Sequence, residues 1–145
     1  KDCQVGDAVY FTWHKGKFTV DASADGYLFI GDLSALAHLY EINRNLPVGK
    51  PRHGIIYAEN ETDFFADIDG QWPFTLHVLP QNPAGALMQE IKNVQPQLMS
   101  KSMVYIGGDS RVCVALNTYF KKELDWETRQ IKNKPFWNPE KKGLE

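Results

Sequence analysis

The sequence predicts an α+β fold: one mixed domain, mainly antiparallel sheet, with two principal helices at about residues 32–45 and 83–95. Three observations lead there. The 145 residues are 43% hydrophobic and 12% aromatic, which suits one globular domain with its own core and excludes collagen-like and disordered chains. Short β-rich runs alternate with two stretches of helical periodicity, in the order strands, helix, strands, helix, strands. The first runs are separated by turn-forming residues, as hairpin strands are.

Residues 8–30 read as β. Ala8 to Trp13 and Lys17 to Asp21 are rich in Val, Tyr, Phe and Thr, and His14-Lys15-Gly16 between them suits a hairpin loop. Gly26 precedes a third apolar run, Tyr27 to Ile30. A helix follows, with Asp32 or Ser34 as its cap, because a short side-chain oxygen accepts the free N–H groups of the first turn. Leu33, Leu36, Ala37 and Tyr40 fall on one helical face, and Asn45, Pro47 and Gly49 end it. A basic loop with Lys50, Arg52 and His53 leads to three candidate strands: Gly54 to Glu59, Asp63 to Asp69, and Phe74 to Leu79. Asn82 and Pro83 suit the start of the second helix, whose face is Ala84, Leu87, Met88 and Ile91, and Pro96 ends or kinks it. Met103 to Ile106 and Val112 to Phe120 read as strands, and 126–145 as a basic, aromatic tail.

The net charge of -2 argues against general polyanion binding, so contact with nucleic acid would need a local basic patch. No apolar run approaches the ~18 residues of a membrane helix. No targeting segment is visible. The chain starts at Lys1 rather than Met, as a processed protein or a fragment does. Cys3 and Cys113 can pair or stay reduced. Reduced thiols in an intracellular protein are the simpler reading, with secretion left open.

The sharpest motif is Phe64-Phe65-Ala66-Asp67-Ile68-Asp69-Gly70. On a strand, side chains alternate, so Asp67 and Asp69 would share a face. Two such carboxylates repel unless a cation lies between them, and hard oxygen ligands suit Mg²⁺ or Mn²⁺. A solvent-exposed Asp-Gly turn is the plainer alternative. His77, beside Thr75, would bind a polyphosphate or sit half-buried as a structural histidine. Gly107-Gly108-Asp109-Ser110-Arg111 offers backbone N–H groups and a guanidinium to an anion, or is a simple hairpin turn. It lacks the spacing of a Walker loop. Asp125 is a candidate third metal carboxylate. Arg129, Lys132 and Lys134 stand among aromatics that would stack on bases, or form a solvated tail.

On these residues, the stretch from Tyr27 to Asp69 resembles the archaeo-eukaryotic primase superfamily in its primase-polymerase and large-virus branches. The pattern is YLFIGDLSALAHLYEI, a loop, GIIYAE and DFFADID, followed by PAGALMQEIKNV and MVYIGG. The resemblance implies a primase-like core over about residues 27–125, with Asp67 and Asp69 in the Asp-x-Asp motif and Asp125 completing the metal set. His77, Ser110 and Arg111 would meet the nucleotide, and Arg129, Lys132 and Lys134 the nucleic acid. The Ser-x-His motif of that family has only partial counterparts, Thr75-Leu76-His77 close after the acids and Asp109-Ser110-Arg111 without the histidine.

Enzymatic activity is thus left open between three readings. The first is template-dependent nucleotidyl transfer, with a nucleotide triphosphate and a nucleic-acid template as partners and metal-neutralised phosphates. The second is a non-catalytic interaction or inhibitor module with a protein partner. The third is a haloacid dehalogenase-type phosphatase, for which Asp67-Ile68-Asp69-Gly70 supplies the start of the motif.

Overall fold

The computed structural model describes residues 4–12 and 16–141. Its elements run β1 (Gly26–Asp32), α1 (Leu33–Arg44), β2 (Arg52–Ala58), β3 (Thr75–Val78), α2 (Ala84–Val94), β4 (Ser102–Asp109), α3 (Ser110–Lys122) and β5 (Ile131–Trp137). The strands form one sheet in the order β3-β2-β1-β4-β5, and all of its pairings are parallel. The fold is therefore α/β, and the expected mainly antiparallel sheet is corrected. The physical reason lies in β1, β2 and β4. Their runs Tyr27–Ile30, Ile55–Tyr57 and Met103–Ile106 are apolar at every position and buried on both faces. Strands sandwiched between helices read that way, whereas hairpin strands with one wet face alternate.

Alternate residues feed two separate cores. Tyr27, Phe29, Ile56, Met103 and Tyr105 point to the face covered by α1. Leu28, Ile30, Ile55, Tyr57, Val104 and Ile106 point to the face covered by α2 and α3. The α1 face has one helix, and aromatic rings finish it. Phe29 stacks on Tyr105 with centroids 5.5 Å apart, and Tyr40 on Phe74 at 5.4 Å. Phe74 lies so close over β2 that a Cβ on Gly54 would come within 2.2 Å of its ring, which only glycine tolerates.

Helices α1 and α2 stand where the sequence places them, but the buried face of α1 is Ala35, Leu36, Leu39, Tyr40, Ile42 and Asn43, while Ala37 of the expected face is exposed. Helix α3 occupies the stretch expected as a strand over Val112 to Phe120. Val112, Cys113, Leu116, Tyr119 and Phe120 are its buried face, a helical spacing masked by β-branched and aromatic residues. The runs Ala8 to Thr12 and Lys17 to Asp21 form no strand, and Trp13, His14 and Lys15 of the expected hairpin lie outside the described residues. Strand propensity is expressed only against a neighbouring strand, and among the described residues neither run joins the sheet. Phe18 instead packs its ring edge-on against His38, Tyr105 and Phe136.

The expected strand Asp63 to Asp69 is also absent. A short 3-10 turn over Glu61–Asp63 gives way to irregular chain and a tight turn. In that turn the Gly70 N–H donates to the Asp67 carbonyl at 2.8 Å, and the Asp67 N–H to the Gln71 carbonyl at 2.9 Å. Side-chain acceptors take the place of a ladder, since Asp67 accepts from the Ile68 N–H and Asp69 from the Gln71 N–H. The segment read as a tail supplies β5, an edge strand.

Candidate functional site

From β1 the chain turns into α1 on one face of the sheet. From its neighbour β4 it turns into α3 on the other. The two connections diverge, and in an open parallel sheet ligands bind in the crevice this opens beyond the carboxyl ends of the strands. Both ends carry an aspartate, Asp32 and Asp109, only 8% and 2% exposed.

Each aspartate caps the helix that follows it, Asp32 through the Ser34 N–H at 2.9 Å and Asp109 through the Arg111 N–H at 2.9 Å. A buried carboxylate is tolerable there because the helix N-terminus presents unpaired N–H groups and partial positive charge. The other Asp32 oxygen accepts from the Asp109 N–H and from the Trp137 indole N–H, each at 2.8 Å. One carboxylate thus ties together the ends of β1, β4 and β5. Arg111 folds back on Asp109, its Nη2 2.6 Å from the carboxylate. Gly108 (φ +118°) makes the latch possible, because a Cβ there would lie 2.4 Å from an Asp32 oxygen.

Beside the latch lies a cleft of about 220 Å³. Its walls come from the ends of the strands and the loops after them: Asp32, Leu33 and Ser34; Tyr57, Ala58, Glu59, Asn60 and Asp63; Leu79 to Asn82; Asp109; and Trp137. Tyr57 is 5% exposed, and its hydroxyl is enclosed with no hydrogen-bond partner among the described residues. Burial pushes its phenol pKa up, and the charges of Asp32 and Asp109 add to this. Glu59, the first residue after β2, is exposed and accepts from the Gln81 side-chain amide at 2.9 Å. Asp63 is likewise exposed and accepts from the Asn60 amide at 3.0 Å. The cleft thus sets the exposed carboxylates of Glu59 and Asp63 against an apolar wall of Leu33, Ala58, Leu79 and Pro80, a set suited to a neutral ring carrying hydroxyl donors.

The residues expected to form a metal and nucleotide site are not brought together in this cleft. Asp67 is buried and ion-paired with Arg44 of α1, so a guanidinium supplies the balancing charge expected of a metal. Asp69 is exposed in the turn, and Asp125 is exposed after α3 at a φ of 55°. Among the described residues no group of three His, Cys, Asp or Glu side chains is placed to hold a metal ion. His77 sits half-buried on β3. Ser110 and Arg111 open α3 and flank the cleft through Asp109. Arg129 pairs with Glu127, Lys132 with Asp21 at 3.3 Å, and Lys134 lies 5.3 Å from the Phe136 ring centroid, each engaged within the chain. Sequence reasoning missed Tyr57, Glu59 and Trp137 and saw Asp32 only as a cap. The available signal was the recurrence of an apolar run, Gly, Asp and a helical pattern in YLFIGDLSAL and MVYIGGDSRV. Two such strand-to-helix junctions mark adjacent carboxyl ends of a parallel sheet. Cys113, a buried free thiol of α3, has its pKa pushed up to about 12 by burial. No helix among the described residues is long and apolar enough to cross a membrane.

Comparison with known proteins agrees with this architecture and overturns the primase reading. The profile of the family described as siderophore-interacting protein matches residues 24–140. No curated protein sequence matches. Among solved structures, the siderophore-interacting protein of Acinetobacter baumannii superposes with a TM-score of 0.67 at 14% identity, over 86% of this chain and 51% of its own. The siderophore-interacting protein SipS of Aeromonas hydrophila gives 0.66 at 18% identity, over 79% and 51%. A siderophore utilization protein of T. fusca gives 0.62 at 16% identity, over 85% and 48%. The chain therefore spans about half the length of these relatives. Nucleotidyl transfer with a triphosphate and template falls with the primase assignment. The phosphatase reading falls too, since its nucleophile would be Asp67, which lies in a turn under Arg44. By the match over residues 24–140, the chain belongs to the siderophore-interacting protein family.

Proposed function

We propose that this chain is the nucleotide-binding part of a reductase acting on ferric siderophores, and that its cleft takes the adenosine half of a reduced nicotinamide dinucleotide. The observation that carries the reading is the cleft itself, which opens beyond the carboxyl ends of the strands where the strand order reverses and carries Glu59 directly after β2.

The residues fit a nucleoside. Glu59 stands where an acid at the end of the second strand accepts from ribose hydroxyls in nucleotide-binding α/β folds. The apolar wall accommodates a base. Asp32, Asp109 and Trp137 hold the strand ends rigid. When bound, the dinucleotide supplies a hydride, hence two electrons, and a ferric ion takes one. The balance is two ferric ions per dinucleotide, through a carrier that accepts pairs and releases single electrons, as flavins do. The half of the relatives' length that this chain does not span has room for such a carrier. An intracellular location goes with this reading, since reduced nicotinamide pools and reduced thiols are kept there.

Thermal unfolding with ADP-ribose and with NADH tests the proposal. A ligand that binds only the folded state at 100 times its Kd stabilises by about 2.7 kcal/mol. The expected result is a concentration-dependent rise in Tm with both compounds, reduced in Glu59→Ala. Unchanged curves with millimolar ligand overturn it.

A further inference from the structure

We propose that the cleft selects NADH over NADPH, with Glu59 and Asp63 as the discriminating side chains. The inference rests on the nucleotide reading above and specifies its substrate. Its first support is charge. Among the described residues, four carboxylates line the cleft, Asp32, Glu59, Asp63 and Asp109, and no Lys, Arg or His does. Asp109 is matched by Arg111, and Asp32 by four donors. Glu59 and Asp63 are held only by neutral amides among the described residues, so they present negative charge to whatever enters.

The second support is donor and acceptor chemistry. The carboxylates at the cleft mouth only accept hydrogen bonds, so they favour a group that donates, such as a ribose diol. NADPH places there a phosphate with a charge of about -1.5 to -2 and no donor at the esterified position. Sites that accept this phosphate offer an arginine beside the second strand end. Here that position is Glu59, followed by Asn60.

The test is direct binding to the 145-residue chain, by NADH and NADPH fluorescence and by calorimetry with 5′-AMP and 2′,5′-ADP. The expected result is NADH tighter than NADPH by at least about tenfold, and AMP tighter than 2′,5′-ADP in the same sense. Raising the salt should narrow the gap, because screening weakens repulsion between exposed charges. Glu59→Gln combined with Asp63→Asn should narrow it by tightening NADPH, and Glu59→Arg should reverse it. Equal or tighter binding of NADPH to the unaltered chain overturns the preference and leaves the nucleotide reading standing. Binding of neither dinucleotide overturns both. Variants are compared only after their circular dichroism matches that of the parent. If Glu59→Arg fails this check, the double amide variant and the salt series decide.

Discussion

Replacing Asp32 tests whether one carboxylate holds three strand ends. All four groups on it are donors: the Ser34 N–H and hydroxyl on one oxygen, the Asp109 N–H and Trp137 indole on the other. Asp32→Ala removes the cap of α1, worth about 1 kcal/mol. It also leaves two largely buried N–H groups without an acceptor, at about 1–3 kcal/mol each. The indole is partly accessible, so the sum lies toward the lower end, about 3–5 kcal/mol. Asp32→Asn is milder. With its oxygen toward Asp109 and Trp137, its amide meets the Ser34 N–H, so only the cap is lost, and the cost is about 1–2 kcal/mol. Trp137→Phe leaves one of the four bonds unmade, at about 1 kcal/mol. Urea unfolding followed by circular dichroism measures all three, and their order should be Ala, then Asn, then Phe. The Asp32→Ala and Trp137→Phe changes should be non-additive, since they share a bond. An Asp32→Ala protein within about 0.5 kcal/mol of the parent, or strictly additive changes, would refute the latch.

Three further predictions concern the same end of the sheet. Tyr57→Phe should stabilise the protein by about 1 kcal/mol in urea, because it removes a buried hydroxyl that has no hydrogen-bond partner among the described residues; a loss of stability would contradict this. Gly108→Ala combines a left-handed backbone with a Cβ 2.4 Å from Asp32, and should lower Tm by roughly 10 °C or prevent folding; an unchanged Tm would contradict it. Cys113, with its thiol raised from 9.0 to about 12, binds its proton more tightly folded than unfolded. Its contribution to stability is therefore complete below about pH 9 and lost as pH rises toward 12. Cys113→Ala should flatten the stability profile across that window, and in a Cys3→Ser background the native thiol should resist Ellman's reagent at pH 8 until urea is added.

Much of the element pattern could be read from residues. Helices α1 and α2 follow from spacing, and the cores of β1, β2 and β4 from apolar runs. The sheet's direction was misread because β-rich residues before Asp21 were given hairpin partners. The uninterrupted apolar character of Tyr27–Ile30 and Met103–Ile106, with a helix after each, was the better guide. Helix α3 was hidden because Val112, Val114 and Thr118 favour strands locally, and packing against β4 and β5 outweighs that preference. The cleft was less legible. Asp32, Tyr57 and Asp109 are 25 or more residues apart, and only the strand order brings them to one edge. Asp67 and Asp69 looked functional because adjacent acids are conspicuous in sequence, whereas the arginine that neutralises Asp67 lies 23 residues earlier.

The fit of Phe74 against Gly54 has a consequence for how this molecule tolerates change. On the face with two helices, a lost methylene can be taken up by a small shift of α2 or α3. Opposite, rings from four separate stretches of chain, Phe18, Phe29, Phe74 and Phe136, interlock around Tyr105 and Tyr40. A side chain at position 54 would displace Phe74 and loosen its neighbours in turn. Substitutions should therefore be absorbed unequally by the two sides, and random mutagenesis scored for folding would find the aromatic side the less forgiving.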